Sequence, residues 1–76
     1  MKVEQVYAFI SVGDEGEGII GQTVPMAGQM VFMPFVCADK ARMESLKPMA
    51  EEINKRTGQK IKIIKFTNRK EIGRIG

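Results

Sequence analysis

The alternation of apolar positions near the start of the chain predicts a strand over residues 3–12. The even-numbered positions share one face of this strand: Val6, Ala8, Ile10 and Val12. Tyr7 and Phe9 fall on the other face, so both faces are apolar. A strand of this kind needs cover on both sides.

Two further strands are predicted, over residues 19–24 and 29–36. Pro25 and Gly28 mark the turn between them. Because proline cannot donate to a hydrogen-bond ladder, Pro34 places the later strand at a sheet edge or at a local irregularity.

After Asp39 the apolar spacing changes to three and four residues, which predicts one helix with Asp39 as its N-cap. Its apolar stripe consists of Ala41, Met43, Leu46, Met49, Ala50 and Ile53. Gly58 is suited to end the helix in the left-handed conformation. Pro48 lies inside this segment, so the helix is either kinked there or split in two.

The last predicted strand covers residues 60–67. Ile61 and Ile63 point one way, but Ile64 and Phe66 fall on the opposite face, together with lysines. Either a bulge near Ile63 restores a single apolar face, or the lysine face is apolar at one end.

The order β-β-β-α-β predicts an α+β fold, in which a small and mostly antiparallel sheet carries one helix across one face. The 76 residues form one domain, 1–76, and residues 68–76 are expected to be a flexible basic tail. One helix covers only one face, so we expect the face with Tyr7 and Phe9 to be covered by another copy of the chain or by a partner, and we expect a homo-oligomer. The methionines of the third strand either fill the core or form a subunit contact. On the second interpretation, Met30 and Met33 belong to the predicted interface.

Residues 33–66 resemble small uncharacterised bacterial and phage open reading frames in layout. The shared features are a strand ending in Met-Pro, an Ala-Asp helix start, a Leu-Lys-Pro interruption and a Thr-Gly turn into a basic strand. This chain inserts Gln59 before Lys60. The resemblance implies the fold and carries over no activity and no catalytic residue.

The segment GEGIIG, from Gly16 to Gly21, has the spacing of a dinucleotide-binding fingerprint. That motif requires a helix directly after the last glycine, and this chain continues instead with β-branched residues and Pro25. We interpret the segment as a hairpin in which Gly13, Gly16 and Gly18 supply positive φ angles.

Composition argues against most catalytic chemistry. The chain has no histidine and one cysteine, which excludes an internal disulfide and an ordinary zinc site and removes the usual partner of a nucleophile. We therefore predict no enzyme activity, no metal and no cofactor, and we interpret Cys37 as a buried small apolar residue. The first residues lack a signal-peptide pattern and no stretch is apolar enough for a membrane span, so a cytoplasmic protein without membrane contact is expected.

Positive charge is concentrated at the C-terminal end, where residues 60–76 hold six bases and one acid. The predicted anion-binding residues are Lys60, Lys62, Lys65, Arg69 and Lys70. The first hypothesis is an oligomeric binding module for a small anion such as a nucleotide or cyclic nucleotide, by analogy with compact phage proteins that sequester nucleotide signals. The alternatives are nucleic-acid binding through the basic patch, and a subunit that binds or inhibits another protein.

Overall fold

Six strands and one helix form over residues 2–76, which are the residues that the computed structural model describes. The elements are β1 (Val6–Gly13), β2 (Gly16–Ile19), β3 (Gly21–Met26), β4 (Gln29–Pro34), β5 (Val36–Cys37), α1 (Lys40–Thr57) and β6 (Lys60–Phe66). All strand pairs are antiparallel. The predicted α+β fold, with one helix and antiparallel sheet structure, is confirmed.

The central strand of the main sheet is β1. It pairs with β6 along one edge over all but its last residue, from Val6 opposite Phe66 to Val12 opposite Lys60. Along the other edge its second half pairs with β2, and its first half pairs with β5. The strands β2 and β5 therefore share one edge of β1 and run in the same direction.

The edge is interrupted opposite Phe9. The N–H of Ile20 donates to the Phe9 carbonyl at 3.0 Å, and the Phe9 N–H donates to the Phe35 carbonyl at 3.1 Å. The strands β3 and β4 form a separate two-stranded sheet between these two points. Each of the predicted strands 19–24 and 29–36 is thus divided, at Ile20 and at Phe35 respectively. Alternation could not reveal this division because apolar residues continue across both points.

The core lies between α1 and the face of the sheet that carries Tyr7 and Phe9. Phe9 is 1% exposed, and its ring meets that of Phe35 edge to face, with centroids 6.0 Å apart and planes at 85°. The helix contributes the stripe of Met43, Leu46, Ala50 and Ile53 to this core. The prediction that another copy or a partner covers Tyr7 and Phe9 was wrong, because the helix of the same chain covers them. Both faces of β1 are apolar, and the helix packs on the one whose aromatic rings offer the larger area.

The helix α1 is continuous through Pro48, so it is not split. The Asp39 carboxylate accepts from the Arg42 N–H at 2.8 Å, and Gly58 ends the helix with φ of 73°, as predicted. Pro48 cannot donate to the carbonyl of Glu44. Both residues are exposed, so water can hydrate that carbonyl.

The register of β6 against β1 runs without a bulge. Ile61 and Ile63 therefore face the helix side, while Ile64 and Phe66 lie on the face of Lys62, as in the second of the two predicted arrangements. Residues 67–76 form no helix or strand.

Candidate functional site

Residues 21–34 form a β-hairpin that we call the arm. Its strands β3 and β4 pack on each other, and neither packs extensively on any other element, so the arm projects from the body. At its base the N–H of Phe35 donates to the Ile20 carbonyl at 2.8 Å. At its tip Ala27 and Gly28 have φ of 50° and 79° and join Met26 to its partner Gln29. Two positive φ angles match the right-handed twist of a short hairpin.

Both arm prolines lie at positions where the hydrogen bonding between β3 and β4 does not require their N–H group. Hydrogen-bonded pairs alternate with non-hydrogen-bonded pairs outward from the turn, and Met26 with Gln29 is the first hydrogen-bonded pair. Pro25, opposite Met30, and Pro34, opposite Gly21, then occupy non-hydrogen-bonded positions. The N–H that each proline lacks would have pointed away from the hairpin, so each outer edge of the arm has lost one donor.

The base of the arm is very tightly packed at Gly21. A Cβ at this position would overlap the carbonyl oxygen of Met33 and lie 2.7 Å from Cζ of Phe32 and 2.8 Å from Cα of Pro34. The third glycine of GEGIIG therefore permits strand packing. Gly16 is the one residue of that segment with positive φ, at 126°; Gly13 and Gly18, also predicted to have positive φ, do not.

The arm presents apolar side chains without any charge. Residues 18–38, which include the whole arm, contain no Asp, Glu, Lys or Arg. Its large apolar side chains are extensively exposed: Met26, Met30, Phe32 and Met33, at 56, 66, 55 and 44%. Exposed apolar patches of this kind mark interaction sites on soluble proteins. Residues directly opposite share a face, so Met26 and Met33 lie on one face of the arm and Met30 and Phe32 on the other. Met30 and Met33, two of the predicted interface residues, therefore lie on opposite faces of the arm.

A second apolar surface lies on the side of the main sheet that does not carry α1, and we call it the open face. Residues directly opposite on paired strands share a face, which assigns to it Val6, Ala8, Ile10, Val12, Glu17, Ile19, Val36, Lys60, Lys62, Ile64 and Phe66. Ala8 and Ile10 are buried at its centre. The flanking Ile19, Val36 and Phe66 are largely exposed. Neither Val36 nor Phe66 was singled out as an interface residue.

The charged groups of the open face lie towards one end of it. Lys62 forms an ion pair with Glu17 at 2.7 Å, which links the two strands on either side of β1. Lys60 lies beyond Lys62, opposite Val12. Towards the other end of β6 the residues on the open face are apolar, and these are Ile64 and Phe66.

The predicted anion-binding residues do not form one patch. Lys65 lies on the helix side of the sheet, with its Nζ 6.0 Å from the centroid of the Tyr7 ring. Lys62 and Lys60 lie on the open face, where Glu17 neutralises Lys62. Arg69 and Lys70 belong to the segment that follows β6 and has no regular structure. Alternation along β6 separates these lysines, because neighbouring positions face opposite sides of a sheet.

A groove of about 400 Å³ lies between α1 and β6. Its apolar floor includes Phe9, Ile61 and Ile63, and its polar rim carries Lys47, Lys60, Asn54 and Glu51. Lys47 is paired with Glu44 at 3.0 Å, and Asn54 donates its amide to the Gln59 carbonyl at 2.6 Å. The groove has the size of a small-ligand site, but only one of its two lysines, Lys60, belongs to the predicted anion set.

Cys37 lies on the helix side of the sheet and packs against the core, but it is partly buried instead of fully buried as predicted. Partial burial raises the pKa of its thiol; the Asp39 carboxylate raises it further and the Arg42 guanidinium lowers it. A thiol with a raised pKa is a poor nucleophile at neutral pH, because the thiolate is the reactive form.

Residues 2–76 contain no cluster of three or more histidine, cysteine or carboxylate side chains that could hold a metal ion. In the same part of the chain no helix has the length and apolar character needed to cross a membrane. Comparisons with protein-family models, curated proteins and solved structures find no match to this chain. The arm and the open face are therefore the candidate functional surfaces of this chain.

Proposed function

We propose that this chain is a non-enzymatic binding module that engages another protein surface through its arm. The observation that carries the proposal is the exposure of Met26, Met30, Phe32 and Met33 on a projecting hairpin that bears no charge. Contact of either face of the arm with a second apolar surface would remove two of these side chains from water, and methionine adapts readily to the shape of a partner.

The two arm prolines specify the manner of contact. Strand addition to a sheet edge requires N–H groups that point outward from that edge. Pro25 on β3 and Pro34 on β4 each remove one such donor. The arm is therefore suited to bind through the side chains on its faces.

A non-enzymatic role agrees with the available chemistry. The sequence supplies no histidine, and its one thiol has a raised pKa. We also propose a reducing, cytoplasmic location, because the single cysteine packs beside the core and has no second cysteine to pair with.

Site-specific photocrosslinking in cells tests the proposal. A photoreactive phenylalanine analogue replaces Phe32 on the arm or, as a control, Ile72, which is 95% exposed in the C-terminal segment. We expect protein adducts from position 32 that disappear when Met30→Lys is added and persist when Ile75→Lys is added instead. Absence of a protein adduct at position 32, or adducts of equal yield from position 72, would contradict the proposal.

The groove between α1 and β6 supports a second candidate, the binding of a small anion such as a nucleotide or cyclic nucleotide. Lys47 lies on its rim above an apolar floor, an arrangement that suits a phosphate attached to a ring, and Lys60 borders the groove where β6 begins. Glu51 on the same rim opposes an anion, so this candidate ranks below the arm.

Titration of a labelled cyclic dinucleotide and of labelled single-stranded DNA, each at two salt concentrations, tests this candidate. If the groove is the site, Lys47→Gln weakens dinucleotide binding and the matched change Lys70→Gln does not. Tight DNA binding with a steep salt dependence and an equal loss in both variants would instead favour a nucleic-acid partner.

A further inference from the structure

We propose that the arm of one chain docks on the apolar end of the open face of a second copy, and that the two copies exchange arms reciprocally. This inference rests on the proposed function, for which it names the partner. It assigns a binding role to Val36, Ile64 and Phe66, which surround Ala8 on the open face.

The first argument is the area that the single chain leaves exposed. The chain has 6458 Å² of accessible surface. A compact chain of 8.5 kDa exposes about 4,700 Å². The excess is about 1,800 Å², and the arm and the C-terminal segment both contribute to it. Half of this excess would match the roughly 800 Å² that each partner buries in a stable complex of standard size.

The radius of gyration supports the same conclusion. Its value is 14.2 Å, whereas a compact chain of this length has about 11 Å. The single chain is therefore extended, and its own arm does not pack on its own sheet. Small domains with few buried residues commonly gain the missing core by association.

The second argument is the match between the two surfaces. The arm has no charge to lose on desolvation, and the charges of the open face lie at its other end, near the Lys62–Glu17 pair. Each arm strand has six residues and spans about 20 Å. The arm is thus long enough to cover several strands, which lie about 5 Å apart.

The third argument is that a reciprocal dimer leaves no arm and no open face without a partner. Each chain offers one arm and one open face, so a two-fold axis satisfies both surfaces of both copies with two equal contacts. An open head-to-tail arrangement would leave one arm and one face unsatisfied at the ends and would continue to grow, whereas a closed head-to-tail ring needs more than two copies. The reciprocal dimer is the smallest assembly that covers all four surfaces.

Opposite charges introduced on the two surfaces provide the test. Phe32→Asp changes the arm and Phe66→Lys changes the open face, and both residues are more than half exposed, so each variant should fold. By sedimentation velocity we expect a wild-type dimer and a rise of about 100-fold or more in the dissociation constant of each variant alone. Mixing the two variants should give a heterodimer that is tighter than either homodimer, because one contact is then native and the other pairs Asp with Lys.

The control is Ile72→Lys, which makes the same kind of change at an exposed apolar residue outside both surfaces and should leave the dimer intact. Circular dichroism checks that every variant is folded. If Phe32→Asp abolishes dimerisation but Phe66→Lys does not, the assigned binding position on the open face is overturned. It is also overturned if the mixture of the two variants does not associate more tightly than either variant alone.

A wild-type chain that stays monomeric at about 100 μM would overturn the inference outright. If position 32 still forms protein adducts in cells, the partner is a different protein and the proposed function stands. If position 32 forms no protein adducts, both the inference and the proposed function fail.

Discussion

The N–H of Phe35 donates to the carbonyl of Ile20 at 2.8 Å, so the chain leaves the main sheet and returns to it at a single point. The arm, residues 21–34, begins and ends there. A short chain segment could make the same connection, because a carbonyl that accepts from the N–H three residues later is the bond that closes a β-turn.

We predict that the arm is dispensable for folding. Replacement of residues 21–34 by two glycines should give a folded monomer with native secondary structure in the body, because β3 and β4 make few contacts with other elements. Circular dichroism and sedimentation velocity measure both properties. If the wild-type chain is a dimer, its melting temperature should rise with protein concentration, whereas that of the shortened chain should not. Loss of the folded state in the shortened chain would contradict this prediction.

Gly21→Ala should open or distort the base of the arm. The added Cβ would overlap the backbone of β4, and overpacking of this kind costs about 1–3 kcal/mol. The matched control is Gly18→Ala, whose Cβ would lie 3.8 Å from the Ser11 hydroxyl in ordinary contact. Amide hydrogen exchange of Gln22 and Met33, which form the hydrogen-bonded pair next to Gly21, reports the effect when it is compared between the two variants. Equal exchange in both variants would show that the close approach at Gly21 is unimportant.

Ala27→Asn should stabilise the arm. Ala27 adopts a φ of 50°, a conformation that costs an ordinary side chain about 1–2 kcal/mol and that asparagine tolerates better. Slower amide exchange of Val24 and Val31 is the expected result. The opposite change at the neighbouring position, Gly28→Ala, places a Cβ at φ of 79° and should accelerate exchange at the same amides. Faster exchange in Ala27→Asn would contradict the assigned turn.

The Cys37 thiol should react slowly in the folded chain. Burial raises its pKa, and Asp39 raises it further, so at neutral pH less thiolate is present than in the unfolded chain. Alkylation by iodoacetamide should therefore be slower without denaturant than with it, and the rate should rise at higher pH than for a free thiol. Asp39→Asn keeps a capping oxygen, removes the negative charge and should speed the reaction. Equal rates in the folded and unfolded chains would contradict the raised pKa.

The raised pKa of the Cys37 thiol also determines how the free energy of unfolding changes at alkaline pH. The folded state retains the thiol proton over a pH range in which the unfolded chain has already lost it. The contribution of Cys37 to stability is therefore present below the unfolded pKa and is lost as the pH rises through the folded pKa. Cys37→Ser should remove this part of the alkaline dependence.

Local signals in the sequence determined the helix and most of the strands. Asp39 and Gly58 fix the ends of α1, since capping depends on side chains and φ angles within a few residues. The alternation along residues 60–66 left two arrangements open, with and without a bulge, and the structure selects the one without a bulge. Pro48 left two arrangements open, and the structure selects the continuous helix.

Tertiary structure alone decided which apolar face the helix covers and where the chain leaves the sheet. Tyr7 and Ala8 are both apolar and both buried, so alternation along β1 cannot rank the two faces; the helix does so by packing on the aromatic one. The break opposite Phe9 depends on hydrogen bonds between residues distant in sequence, Ile20 and Phe35, which no local pattern encodes. Pro25 and Gly28 marked the turn of the arm, and the uncharged stretch from residue 18 to residue 38 was the sequence signal of its apolar surface. Its meaning required the structure, because lack of charge is equally compatible with a buried strand and with an exposed binding surface.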